Sequence, residues 1–115
     1  MSYDISLVKN HKSVKVALFE EGGTYVMGGS EIAELNITYN YSRFFYEQLD
    51  AKEGIRWLYG KKAKDCIKRL EKAVKELGTK QYTDYWAPTH GNAGYALAIL
   101  LRWAKQHPDA VFEGD

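Results

Sequence analysis

Between Ala93 and Ala104 the chain carries one charge, Arg102, and apolar side chains point in nearly every direction around a helix of period 3.6. A helix of this kind is central. It needs two buried sides, or a partner chain against one of them. At about 12 residues it falls well short of the ~20 needed to cross a bilayer. The segment before it, Pro88-Thr89-His90-Gly91-Asn92-Ala93-Gly94, is polar and glycine-rich. The helix on which the core is built and the best candidate site therefore lie end to end.

The rest of the chain must supply a surface for that helix. In Glu34–Ser42 the odd positions Leu35, Ile37, Tyr39 and Tyr41 are apolar, and Asn36, Thr38, Asn40 and Ser42 are small and polar. This alternation predicts a strand over Glu34–Tyr41 with one face on the core. Shorter alternations predict strands over Tyr3–Leu7 and Val14–Phe19, with Asn10–Ser13 as the turn between them. Glu20–Gly23 and Gly28–Gly29 read as turns, and Thr24–Met27 between them as a connection or a small extra strand. Ser42 is placed to cap a short helix, Arg43–Leu49.

Ala63, Cys66, Ile67, Leu70, Ala73, Val74 and Leu77 recur at three- and four-residue steps, so Ala63–Leu77 is predicted helical, with Gly78 as its left-handed end. The central helix is predicted over Asn92–Gln106, stopped by Pro108. Val111–Phe112 returns to the sheet as an edge. The expected fold is α+β: a mainly antiparallel sheet of three to four strands with two main helices on one face, in a single domain over residues 1–115. Apolar side chains left over on the central helix, Ile99 and Trp103 among them, predict a homodimer.

With 45% hydrophobic and 14% aromatic residues, the chain is rich enough in core formers to exclude disorder. A formal charge of +1 commits it to neither nucleic acid nor membrane. Cys66 is the single cysteine and lies on the apolar stripe of its helix, where a small core residue is expected rather than a nucleophile. Without a signal-like start or paired cysteines, the cytoplasm is the expected compartment. The lysine-rich outer face of Ala63–Leu77 reads as a solvated surface, with Asp65–Arg69 and Glu71–Lys75 as i,i+4 pairs, so nucleic acid is not an expected partner.

No spacing of His, Cys or acids suggests a metal, no Gly-x-Ser-x-Gly elbow suggests a hydrolase, and no cofactor is expected. At the start of the central helix, Thr89 or Asn92 can cap unpaired N–H groups, and Gly91 and Gly94 clear room for an incoming phosphate or carboxylate. The same glycines equally suit close packing of the helix start on a neighbour. His90 has the chemistry of a general acid/base, but no sequence partner marks it as one. Trp86 and Tyr95 flank the loop and can stack on a flat ring.

The segments Asn36-Ile37-Thr38-Tyr39-Asn40-Tyr41-Ser42, Asp84-Tyr85-Trp86-Ala87-Pro88-Thr89, Gly91-Asn92-Ala93-Gly94 and Trp103-Ala104…His107-Pro108 resemble a group of small phage and bacterial proteins of unassigned activity. The resemblance extends to the Tyr3-Asp4-Ile5 start. Proline is common in that group where this chain has His90, which counts against a catalytic His90. A phage association implies action on a host system, by capturing a small signal or by blocking a protein.

These features predict a non-enzymatic protein that captures an anionic, nucleotide-like metabolite. The expected pocket is shared by Asn36, Thr38, Asn40 and Ser42 with Trp86, Thr89, His90, Gly91, Asn92, Gly94 and Tyr95. In that pocket Asn40→Ala and Asn92→Ala would weaken binding and leave the fold intact. The alternatives are a surface that inhibits a host protein and, third, an enzyme using His90.

Overall fold

The computed structural model describes residues 1–19 and 30–115, so the expected connection at Thr24–Met27 and the turns beside it lie outside the described residues. The fold is α+β. Strand β1 (Ser2–Lys9) is the middle of the main sheet. It turns through Asn10 and His11, whose φ values of 52° and 64° suit a two-residue hairpin, into the two-residue β2 (Lys12–Ser13). Along β1, Tyr3, Ile5 and Leu7 are buried and the residues between them are not, so the sheet buries one face.

Strand β5 (Glu34–Thr38) runs antiparallel to β1, with Ile37 opposite Tyr3 and Leu35 opposite Ile5. β6 (Val111–Gly114) pairs with the other side of β1 and sets Phe112 opposite Leu7. It is the edge strand expected of Val111–Phe112. Gly60 N–H donates to Phe112 O and Phe112 N–H to Lys61 O, so the segment at Gly60–Lys61 covers its outer side.

The expected strand Val14–Phe19 departs from this sheet. Val14 still bridges into it through Val14 N–H to Leu7 O and Ala33 N–H to Val14 O. Among the described residues β3 (Lys15–Phe19) then pairs only with β4 (Ser30–Ile32), across an irregular register. Tertiary contacts account for the departure. Phe19 meets Trp103 edge-on at 5.1 Å, and His107 Nε2 lies 2.6 Å from Lys15 O, so the ribbon follows the central helix rather than β1.

The strand expected over Glu34–Tyr41 stops at Thr38. The Thr38 hydroxyl accepts the Asn40 N–H at 3.1 Å and starts a 3₁₀ turn over Tyr39–Tyr41. Helix α1 (Ser42–Gln48) follows directly, with Tyr41 rather than Ser42 at its cap position. Thr, Asn and Ser favour turns and caps as readily as a strand's polar face, so the alternation in sequence outlasts the strand.

The helix expected over Ala63–Leu77 begins as a 3₁₀ turn at Ala63–Asp65 and becomes helix α2 at Ile67–Leu77. Its first N–H groups are drawn to the C-terminal segment, from Ala63 to Ala110 O and from Lys64 to Pro108 O. Gly78 ends α2 at φ 75°, as its position predicts. Cys66 is fully buried, and burial pushes its thiol up to about 11, the state of an inert core residue.

Helix α3 (His90–Gln106) is the hub. Ala93, Ala96, Leu97, Ile99, Leu100, Trp103 and Ala104 are all buried, and α2 is its most extensive neighbour. Ile99 and Trp103 are each 1% exposed within one chain, so the apolar surplus that suggested a dimer is absorbed internally.

The α2–α3 packing depends on a backbone approach. A Cβ on Gly94 would stand 1.7 Å from Gly78 O and 3.0 Å from the Leu77 Cβ. Neither is the far end of a flexible side chain. Alanine in mid-helix ordinarily gains about 1 kcal/mol over glycine, but overpacking of this kind costs more than that. Gly94→Ala is therefore expected to lower stability by at least about 2 kcal/mol net, read as the shift in urea midpoint at constant slope.

Candidate functional site

The start of α3 is closed from within. Thr89 is its N-cap, accepting the Asn92 N–H at 3.1 Å. Gly91 is backed by the loop after α2: a Cβ there would lie 1.7 Å from Lys80 O. Between the two glycines, Asn92 is 1% exposed and uses all of its amide. Its Nδ2 donates to Asp84 O and Ala87 O at 3.0 Å each, and its Oδ1 accepts the Tyr82 N–H at 2.8 Å. The glycine-rich stretch thus holds the Lys80–Ala87 loop against the helix, the packing alternative that the sequence had left open.

The row of polar residues divides among several tasks. Asn36 stays on the outer sheet face, donating to Ser2 Oγ at 2.6 Å and Asp4 Oδ1 at 2.7 Å. Thr38 is buried in its capping role. Ser42 Oγ is 2.6 Å from the Tyr3 hydroxyl. Only Asn40 reaches the loop, through Nδ2 to Trp86 O at 2.8 Å. Trp86 is 38% exposed with its ring 4.8 Å from that of Tyr85, and Tyr95 is half-buried on α3. His90 is exposed with its ring 4.7 Å from that of Phe44.

Two clefts indent the surface elsewhere. A shallow groove of about 390 Å³ on the outer sheet face is lined by Asp4, Ile5, Ser6, Glu34, Leu35 and Asn36. A cleft of about 530 Å³ lies where α2 meets the end of α1, lined by Gln48, Leu49, Trp57, Asp65, Lys68, Arg69 and Lys72. Neither is lined by the start of α3. Asn36 is the only member of the expected pocket to line either one.

The second cleft has the chemistry of an anion site. Residues 68, 69 and 72 share one face of α2 by their spacing, and Asp65 joins them from the 3₁₀ turn before it. Opposite them is Trp57, in a 3₁₀ turn over Gly54–Leu58. Arg69 Nη1 donates to Leu49 O at 3.1 Å, and its guanidinium carbon lies 4.1 Å from the centre of the Trp57 ring. Lys61 Nζ covers the same ring at 4.4 Å and donates to Trp57 O.

Arg69 is thus held by a carbonyl and a ring, not by a carboxylate. The expected Asp65–Arg69 and Glu71–Lys75 pairs do not form. The ion pairs among the described residues are Lys64–Asp109 at 3.7 Å and Lys105–Glu71 at 3.5 Å, all four side chains about half exposed or more. Trp57 and Arg69 were absent from the sequence-derived site. The signal for Arg69 was the run of eight Lys and Arg against three acids from Lys61 to Lys80, +5 in a chain of +1, and Trp57 lies outside that run.

Among the described residues, no three His, Cys, Asp or Glu side chains gather in a way that would hold a metal ion, and no helix is long and apolar enough to cross a membrane. Comparison with protein-family models, curated proteins and solved structures found no match to this chain.

Asn92 is therefore expected to act on stability first. Asn92→Ala leaves the Tyr82 N–H without its acceptor and removes one of the two donors to each of Asp84 O and Ala87 O, which keep the Ala87 and Thr89 N–H groups, at a cost of about 1–3 kcal/mol, readable by chemical denaturation. This replaces the expectation that the substitution leaves the fold intact.

Tyr41 makes a pH-dependent contribution at the same loop. Its hydroxyl donates to Tyr85 O, and burial pushes it up to about 12, with the Asp84 carboxylate and Tyr85 adding to the rise. The folded state holds this proton more tightly than the unfolded chain, whose tyrosines titrate near 10. Its stabilisation is complete below about pH 10 and is lost as pH rises towards 12. Tyr41→Phe is expected to cost about 1 kcal/mol at pH 8, a difference that shrinks when denaturation is repeated at pH 11.

Proposed function

We propose that this protein works by binding an anionic ligand, without turning it over, in the cleft between α1 and α2. The observation that carries this is Arg69, a guanidinium positioned by Leu49 O and Trp57 with no carboxylate to neutralise it. Lys68 and Lys72 flank it on the same helical face and, among the described residues, make no ion pair and share the cleft with a single acid, Asp65. A pre-oriented guanidinium gives up less side-chain entropy on meeting an oxyanion than a free one, and its fork suits phosphate and carboxylate oxygens.

This keeps the anionic, nucleotide-like ligand predicted from the sequence and moves its seat from the α3 start to α2. In a protein resembling phage and bacterial chains, such capture would withdraw a signalling metabolite from its host. A second reading, a surface that blocks a host protein, draws on Tyr82 and Trp86. They are 59% and 38% exposed on the loop before α3, and aromatic anchors of this kind dominate protein interfaces.

Calorimetric titration with nucleoside triphosphates at low salt tests the first reading. Binding is expected, and Lys68→Gln and Arg69→Lys should each weaken it by about tenfold, the worth of one charge-assisted contact at an accessible site. Melting curves on the same variants separate this from any loss of fold. Absence of heat at millimolar nucleotide, or indifference to both substitutions, would leave the aromatic loop as the stronger candidate.

A further inference from the structure

We infer that the cleft takes phosphodiester-linked nucleotides, with successive phosphates along the α2 ridge, rather than a mononucleotide held at one point. This rests on the reading of the cleft as an anion site.

The ridge supplies the geometry. Lys68 and Lys72 stand four residues apart on α2, about 6 Å of helix rise, and Lys64 precedes them in the 3₁₀ turn over Ala63–Asp65. Successive cations therefore form a row, and Arg69 stands beside its middle. A lone phosphate can satisfy one station of that row, whereas a chain of phosphates can satisfy several. Among the described residues Lys68, Arg69 and Lys72 make no ion pair, and Lys64 meets Asp109 at 3.7 Å, with side chains 52% and 67% exposed. Pairs that exposed contribute little and give way readily to a competing anion.

The charge distribution agrees. The segment Lys61–Lys80 is +5 in a chain of +1, so the remaining residues are net negative and the positive charge is concentrated in this segment. Asp65 and Glu71 interrupt the ridge and keep it from being a uniform basic surface. Trp57 is already covered by Arg69 and Lys61. Its ring serves to hold the cations, so recognition falls on phosphates and is indifferent to the base.

The test is fluorescence anisotropy competition on the full chain. Four competitors are used: inorganic phosphate, thymidine monophosphate, the 5′-phosphorylated linear thymidine dinucleotide with its two phosphates, and an oligothymidylate of about twelve nucleotides. The multi-phosphate ligands are expected to bind at least tenfold more tightly than the monophosphate. With three cations engaged, oligothymidylate affinity should fall about twentyfold between 50 and 200 mM salt. Lys68→Gln and Lys72→Gln should each weaken binding severalfold and flatten the salt dependence. Lys9→Gln, on the β1–β2 hairpin, removes the same charge away from the ridge and should change nothing.

A dinucleotide as tight as the longer strand identifies a small free nucleotide as the source. A further gain with length identifies single-stranded nucleic acid. Equal affinity for monophosphate and oligothymidylate would overturn this inference and leave the anion cleft standing. No binding by any competitor would overturn both. Equal sensitivity to Lys9→Gln would show unlocalised charge attraction, and the ridge would fall.

Discussion

Two glycines let two stretches of backbone touch, and the arrangement of the molecule follows from that contact. Gly91 lies against Lys80 O and Gly94 against Gly78 O, each where a methyl group would overlap the carbonyl. The end of α2 can therefore sit directly on the first turns of α3. Gly78 turns the chain at φ 75°, and its own carbonyl forms part of the contact. The helix cap, the Asn92 clamp and the Asn40 bond to Trp86 O are built around this meeting point.

The approach has a consequence for function. Groups that would serve an anion at an open helix start are spent here on internal closure. Asn92 bonds its own loop, and Thr89 bonds Asn92. With α3 committed to the core, ligand chemistry is left to elements at the periphery. α2 is the clearest case: its inner side packs on α3, and its outer side carries lysines and Arg69 beside a cleft.

The cleft itself is made by a tertiary accident of charge. The carboxyl-terminal end of α1 offers Leu49 O, which Arg69 meets together with the Trp57 ring. An arginine so placed is drawn away from Asp65, four residues earlier in the 3₁₀ turn before its helix. An exposed i,i+4 ion pair is worth only a few tenths of a kcal/mol. A hydrogen bond to a helix-end carbonyl plus a cation–π contact is worth more. The local pairing rule loses to the tertiary one by magnitude.

What the sequence determined by itself is the inventory of apolar faces. The uninterrupted apolar stretch of α3 required a central helix. The stripe from Ala63 to Leu77 required a second helix, and Tyr3, Ile5 and Leu7 required a half-buried strand. These signals are periodic over many residues, and burial enforces them whatever surrounds them. The tertiary structure decided where each element stopped and what its polar groups met. Thr38 ended a strand that alternation would have carried to Tyr41, because its hydroxyl found the Asn40 N–H. β3 left the main sheet to follow Trp103. Gly91 and Gly94 became packing points, and Arg69 became a site residue because Leu49 and Trp57 were brought beside it. Single hydrogen bonds and close contacts between distant residues have no period, so only the folded chain reveals them.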